Sequence, residues 1–222
     1  MGHTHAYRPL ARRNGAGKAW PPREPGIVNT PPDTHTHTRW SDGFGELEEN
    51  VRFAAAHGIP AIACTDHMPL RVPPPGLERP ASAAPGRQTE WHMAWEDLPA
   101  YLAEVERLRD ATPEVEVLLG LEFDFWPGVS AELQALAQRY PWDLRLGSVH
   151  YVGTFGIDSE DEIRRWEESD PDGVWEEYFR ILTEAASSGF FDVIGHADIV
   201  KKFGFLPARD PTPWYEAFLQ AA

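Results

Sequence analysis

The 222-residue chain carries 35 acidic residues against 20 Lys and Arg, a formal net charge of −15 at pH 7, which disfavours a broad nucleic-acid surface. Its length suits one domain with a sizeable core, and single α/β barrels reach this size and beyond. The lone cysteine, Cys64, excludes an internal disulfide and fits a reducing compartment. With no apolar run of membrane-spanning length and no apolar signal-peptide core, no membrane partner is expected and the cytoplasm is the expected compartment.

Residues 1–32 differ from the rest of the chain. Arg8, Arg12, Arg13, Lys18 and Arg23 face only Glu24, Gly and Pro are dense, and no apolar period is visible. A disordered or non-native extension is the expectation. An Arg-rich, acid-poor leader would suit a transit peptide, but its prolines spoil an amphipathic helix. His3-Thr4-His5 imitates the histidine motif that begins at Asp33, without its strand–helix context, and is set aside.

The motif itself is Asp33-Thr34-His35-Thr36-His37-Thr38-Arg39-Trp40-Ser41-Asp42-Gly43. In an extended segment, residues two apart share one face, so His35 and His37 would point the same way with Asp33 aligned behind them. Imidazoles beside a carboxylate suit zinc, iron or manganese better than magnesium or calcium alone. A solvated, metal-free histidine turn is the competing reading.

Leu47, Val51, Ala54 and Ala55 give a helical period over 45–57, stopped by Gly58. Residues 59–65 read as a buried strand that delivers Thr65-Asp66-His67. The Pro-rich stretch 68–86 predicts a long loop, of the kind that tends to be functional. Leu98, Leu102, Val105 and Leu108 mark a second helix. Residues 115–125 form a strand carrying Glu122 and Asp124, and a helix over 130–138 comes next with Ser130 as its cap. Residues 142–149 read as a strand ending in Gly147-Ser148-Val149-His150. The polar segment 156–172 reads as a surface excursion. Trp175, Tyr178, Phe179 and Leu182 mark a helix over 174–187, and 191–194 is a strand feeding Gly195-His196-Ala197-Asp198. A last helix starts near Pro213.

Strand–helix alternation predicts a parallel α/β sheet. His35, His37, His67, Glu122, His150 and His196 all fall at or just past the C-terminal ends of predicted strands, the rim where (β/α) barrels build active sites. Five strands offering metal-type ligands at one rim favour a metal centre over five unrelated side chains. Glu122 lies in a strongly apolar run, so its carboxylate needs a cation or a hydrogen-bonded partner. Bridging two metals is one arrangement; a salt bridge to an arginine is the other. Asp42 is open between reaching a metal and capping the helix near Gly45. Asp124, His57 and His92 read as a strand neighbour, a helix-end residue and a loop residue. Lys201 and Lys202 are weak candidates for a phosphate, against a solvated basic pair.

Taken together, these motifs resemble the polymerase-and-histidinol-phosphatase (PHP) family of metal-dependent phosphoesterases. Asp33-x-His35-x-His37 with Ser41-Asp42-Gly43 looks like its first motif and Thr65-Asp66-His67 its second; Gly120-Leu121-Glu122, Ser148-Val149-His150 and Gly195-His196 match later ones. The stretches 65–70, 147–151 and 195–204 look particularly like the histidinol-phosphatase branch. The resemblance implies a distorted (β/α)7 TIM-like barrel with a cluster of three divalent ions (Zn, Fe or Mn). It implies hydrolysis of L-histidinol phosphate to L-histidinol and phosphate in histidine biosynthesis. The ions would be held by His35, His37, Asp42, His67, Glu122, His150 and His196, with Asp33, Asp66 and Asp198 as outer orienters. Catalysis would run through the ions on His35, His37, Glu122 and His196, with no protein nucleophile.

The family pattern closes with a strand bearing Ser-Asp-Ala-His, which does not occur before Ala222. Residues 33–222 are therefore expected to be a PHP domain truncated before its final strands, with a barrel incomplete at the C-terminus. A related phosphoesterase acting on a nucleotide-like substrate and an inactive metal-binding fragment are the alternative expectations. The oligomeric state is open.

Overall fold

A computed structural model describes residues 30–70 and 91–222. Most of the expected extension at 1–32 and of the Pro-rich loop at 68–86 lies outside the described residues. Among the described residues the strands are, in chain order, β1 (Ala61–Cys64), β2 (Glu116–Asp124), β3 (Leu144–Ser148), β4 (Tyr151–Val152), β5 (Phe155–Gly156) and β6 (Val193–Ile194). The helices are α1 (Leu47–Ala56), α2 (Leu98–Ala111), α3 (Ser130–Arg139), α4 (Ile163–Glu168), α5 (Pro171–Ser187) and α6 (Thr212–Ala221).

The main sheet runs β1-β2-β3-β6, every pair parallel, while β4 and β5 form a small antiparallel hairpin. Parallel neighbours need long crossovers, here α2, α3 and the α4–α5 segment. The result is the α/β parallel fold that the alternation predicts.

Side-chain alternation gives the sheet two different faces. Val117, Leu119, Leu121 and Phe123 of β2, with Ile62 and Cys64 of β1, join the large core under the helices. That core takes Leu47 and Val51 from α1, Tyr101 and Val105 from α2, and Trp175, Phe179 and Leu182 from α5. The other face starts apolar, with Ala63, Leu144 and Leu146 against Leu118 and Val193. Further along β2 and β3 the same face carries Glu122, Asp124 and Ser148, all buried. Apolar packing thus fills the lower part of this face, and polar chemistry is confined to the C-terminal ends of the strands.

Several local expectations are corrected. The first motif is not a regular strand. Asp33 makes one isolated parallel bridge to Ile62, after which threonine hydroxyls replace ladder bonds: Thr36 N donates to Thr65 Oγ1 at 2.8 Å and Thr36 Oγ1 to Ala63 O at 2.7 Å. Ser130 is the first residue of α3 rather than its cap, a position taken by Val129. Asp42 does not cap α1 either, since that cap falls on Glu46, whose N–H donates to Glu49 Oε2 at 3.0 Å. The segment 156–172 is more than a surface excursion: α4 drives Trp166 into the core, where Nε1 donates to Ile157 O at 2.8 Å and the ring stacks on Phe205. One apolar anchor in a six-residue helix leaves too little period to read.

Asp66 ties the first motif to β1. Its Oδ1 accepts from Thr38 N (2.8 Å), Ser41 N (3.1 Å) and Ser41 Oγ (2.6 Å), and its Oδ2 from Thr38 Oγ1 (2.9 Å). Burial pushes this carboxyl up, against those hydrogen bonds, which act the other way. Removing it would leave several buried donors without an acceptor, each costing about 1–3 kcal/mol. Asp66→Ala is therefore expected to lower stability by about 3 kcal/mol in urea denaturation with an unchanged m-value; a loss below about 1 kcal/mol would contradict this role.

Candidate metal centre

Each element brings its own ligand-type side chain to the rim. The chain past β1 continues beside β2, with Glu122 N donating to Asp66 O (3.1 Å) and Met68 N to Glu122 O (2.9 Å), which sets His67 next to Glu122. Two residues past β3 stands His150, whose carbonyl accepts from Ile157 N beyond the β4–β5 hairpin at 3.0 Å. His196 lies just past β6 with a positive φ of 20°, unusual for a residue with a β-carbon. Gly43 lets the first motif close on itself: a β-carbon there would lie 2.5 Å from the carbonyl carbon of His37.

These side chains meet around Glu122, which is 1% exposed. Its Oε2 faces His35 Nε2 (3.1 Å), His37 Nε2 (3.0 Å) and His67 Nδ1 (3.4 Å). Its Oε1 faces His196 Nε2 (2.9 Å) and His150 Nε2 (3.5 Å). The two oxygens thus serve two different groups of imidazoles, and the arginine alternative for Glu122 is replaced by five histidines. Asp42 accepts on Oδ1 from His37 Nδ1 (2.8 Å) and places Oδ2 3.8 Å from His67 Nε2.

The electrostatics of the centre are set by this packing. Burial opposes the charge on Glu122, but the surrounding imidazoles, led by His67 and His150, outweigh it and hold the carboxyl well below its usual range. Burial likewise opposes charge on His37, yet Asp42 and Glu122 prevail and push it up to about 10. His150 is pushed up to about 10 by Asp124 and Glu122, again against burial. His67, fully buried, is pushed down to about 3 by desolvation.

The donor set fits divalent metal. His35 Nε2 and His37 Nε2 approach to 2.8 Å while both face one carboxylate oxygen, and His150 Nε2 lies 3.2 Å from His196 Nε2. Each pair can share one proton in an N–H···N hydrogen bond, and a cation would let both nitrogens present lone pairs instead. His67 Nδ1 is buried without a hydrogen-bond partner among the described residues, as an unfilled ligand atom would be. Among the described residues four sets offer donor atoms within 4.8 Å of one another: His35, His37 and Glu122; His37, Asp42 and His67; His67, Glu122 and His150; and His67, His92 and Asp124. Mixed imidazole and carboxylate donors suit zinc, iron or manganese.

The remaining candidates sit further out. Asp33 turns its carboxylate onto the N–H of His35 at 3.2 Å. Asp198 pairs with Lys201, and Lys202 Nζ donates to the carbonyl of Asp158 at 2.8 Å, so both lysines are engaged outside the converging set. His57 ends its helix, stacked on Phe53. His92 and Asp124, read from sequence as a loop residue and a strand neighbour, are instead buried and joined to each other and, through Asp124, to His150. The available signal was spacing, because Asp124 lies two residues past Glu122 on one strand and so shares its face.

The PHP domain family matches residues 33–221. A protein of Deinococcus radiodurans named "Probable histidinol-phosphatase" is 36% identical over 185 residues, covering 82% of this chain and 65% of that protein. A Schizosaccharomyces pombe protein of the same name is 27% identical, covering 75% of this chain and 54% of its own length. The chain therefore spans less than two thirds of the length of these curated relatives. Among solved structures, the histidinol phosphate phosphatase of Lactococcus lactis, crystallised with zinc, L-histidinol and phosphate, aligns with a TM-score of 0.64 at 21% identity, covering 85% of this chain and 66% of that one. A Listeria monocytogenes structure aligns with a TM-score of 0.66 at 19% identity, covering 85% and 75%. With the family matched from the first histidine motif to the last helix, the chain belongs to the PHP domain family.

Proposed function

We propose that this protein is a metal-dependent phosphomonoesterase that hydrolyses L-histidinol phosphate to L-histidinol and phosphate. The observation that carries the reading is the buried Glu122 carboxylate, one oxygen toward His35, His37 and His67 and the other toward His150 and His196. A buried carboxylate with imidazoles at both oxygens would serve as a ligand for divalent cations. The four-stranded sheet is read as part of a distorted (β/α)7 barrel, supported by the alignment with the two solved structures.

His35, His37, His67, Glu122, His150 and His196, with Asp42 at the edge, would hold a cluster of three zinc, iron or manganese ions. Such ions supply a water acidified to near-neutral pKa and positive charge opposite the phosphoryl oxygens. The protein's own part is to aim the nitrogens. Asp42 keeps the proton of His37 on Nδ1, which leaves Nε2 for the centre. Asp33 and Asp66 hold the backbone of the first motif in register.

The cavity over these residues, about 420 Å³, is walled by Phe44 and Ile199 and edged by Asp158 and Asp42. Outside the ligand set its charged lining group is Asp158, 3.9 Å from Lys202 Nζ, whose carboxylate would attract the ammonium group of histidinol phosphate. The name shared by the two curated relatives supports the same substrate.

Purified protein supplemented with zinc or manganese is expected to release phosphate from L-histidinol phosphate in preference to a mononucleotide panel. Glu122→Gln should lower kcat by roughly 100-fold or more and reduce bound metal, read by elemental analysis. Preference for a nucleotide would move the assignment elsewhere in the family, and absence of turnover with metal bound would leave a binding protein. Chelation should lower the melting temperature reversibly, because a ligand at 100 times its Kd contributes about 2.7 kcal/mol. Asp158→Asn should raise KM for L-histidinol phosphate by roughly tenfold, the loss of one charge-assisted contact. Turnover of an aryl phosphate without an ammonium group should stay unchanged; equal losses on both substrates would rule out recognition by Asp158.

A further inference from the structure

Behind the candidate ligand His150 lie His92 and Asp124, a buried pair to which the proposed reaction assigns no role. Asp124 and His92 are both 0% exposed and His150 only 5%. His150 Nδ1 is bonded to Asp124 Oδ1, and His92 Nε2 to Asp124 Oδ2. His150 therefore stands between two carboxylates, with Asp124 at Nδ1 and Glu122 3.5 Å from Nε2. Together with His150 the pair spans three parts of the chain: the end of β2, the turn after β3 and the segment around Trp91 and Met93. That last segment is itself fixed to the rim, since Trp91 Nε1 donates to Tyr151 OH at 3.1 Å and Met93 N to His67 O at 3.3 Å.

We propose that Asp124 is a positioning residue of the metal centre, held by the Nε2–H of His92 on one oxygen and holding the Nδ1–H of His150 on the other. In this arrangement the lone pair of His150 sits on Nε2 and points at Glu122 and His196. The backbone of His150 is already fixed by Ile157, so ring rotation and tautomer are the freedoms left, and the Asp124 bond removes both. Such carboxylate–histidine pairs orient metal-binding imidazoles, and losing one costs about 10–100-fold in metal affinity. Asp42 and His37 repeat the pattern at the exposed edge of the cluster. His67, His92 and Asp124 also offer donor atoms within 4.8 Å of one another. Both Asp124 oxygens already accept from imidazoles, however, which leaves the carboxylate to orient rather than to ligate.

The proposal rests on the metal-centre reading, and its test is metal binding rather than turnover. The full chain, stripped and titrated with Co2+ against a competing chelator, is followed by its visible absorption. Asp124→Asn is expected to weaken one class of Co2+ site by about 10–100-fold. His92→Phe, which keeps a ring but removes the donor, should weaken the same class by on the order of tenfold. His92→Gln, whose amide N–H can replace Nε2–H, should recover it. Independently of any variant's folding, 15N-resolved histidine spectra of the zinc-loaded wild type should show His150 as the Nδ1–H tautomer. Unchanged affinities in folded Asp124→Asn and His92→Phe, no recovery in His92→Gln, or an Nε2–H tautomer at His150 would each overturn the proposal. A wild type that takes up no Co2+ would overturn the metal-centre reading and this proposal with it.

Discussion

A single buried carboxylate governs this structure. Glu122 sits near the end of the central strand β2 with both neighbours in the chain, Leu121 and Phe123, packed into the core. An ionised carboxylate in such a place costs several kcal/mol unless it is paired. Five imidazoles from four other stretches of the chain converge to pair it. The β1-β2-β3-β6 order makes this possible, since parallel neighbours end at the same rim and each can extend a few residues past its last ladder bond.

Around that centre, further carboxylates accept hydrogen bonds from histidines and loops. Asp66 gathers four hydrogen bonds from Thr38 and Ser41 and so sets the turn after His37. Asp42 takes the Nδ1 side of His37, and Asp124 the Nδ1 side of His150. The Asp42 side chain remains 45% exposed, where solvent weakens its hold, while that of Asp124 is at 1%. The two faces of the cluster therefore differ: an open edge, lined by Asp42 and Phe44, and a closed back wall formed by Asp124 and His92.

Much of this was legible in the residues alone. The spacing of His35 and His37 puts both on Glu122 although their segment makes only one isolated bridge, and the fall of His67, Glu122, His150 and His196 at strand ends follows from parallel topology. What escaped was of two kinds. His92 comes after a Pro-rich stretch with no period, so nothing local places it near a strand end; only the tertiary contact with Asp124 does. Trp166 lies among charged residues of both signs, and one buried aromatic in a helix of six residues generates no readable period. The caps of α1 and α3 failed for a different reason: Asp42 and Ser130 are good capping residues by type, but Asp42 is taken by His37, and α3 already includes Ser130 as its first residue.

The charge balance of the centre explains why these residues tolerate one another. His37 and His150 are each driven to hold a proton, both through carboxylates that burial alone would neutralise. His67, deeper and without a carboxylate bonded to its ring, is driven the other way. Carboxylates thus favour positive charge on both sides of Glu122, at His37 and at His150. Without a cation, one proton in each close pair makes an N–H···N hydrogen bond, His35 Nε2 with His37 Nε2 at 2.8 Å and His150 Nε2 with His196 Nε2 at 3.2 Å. A cation would supply that charge and let every nitrogen present a lone pair. By burying Glu122 and surrounding it with histidines held by carboxylates, the fold gathers donors that suit a cation as well as a proton.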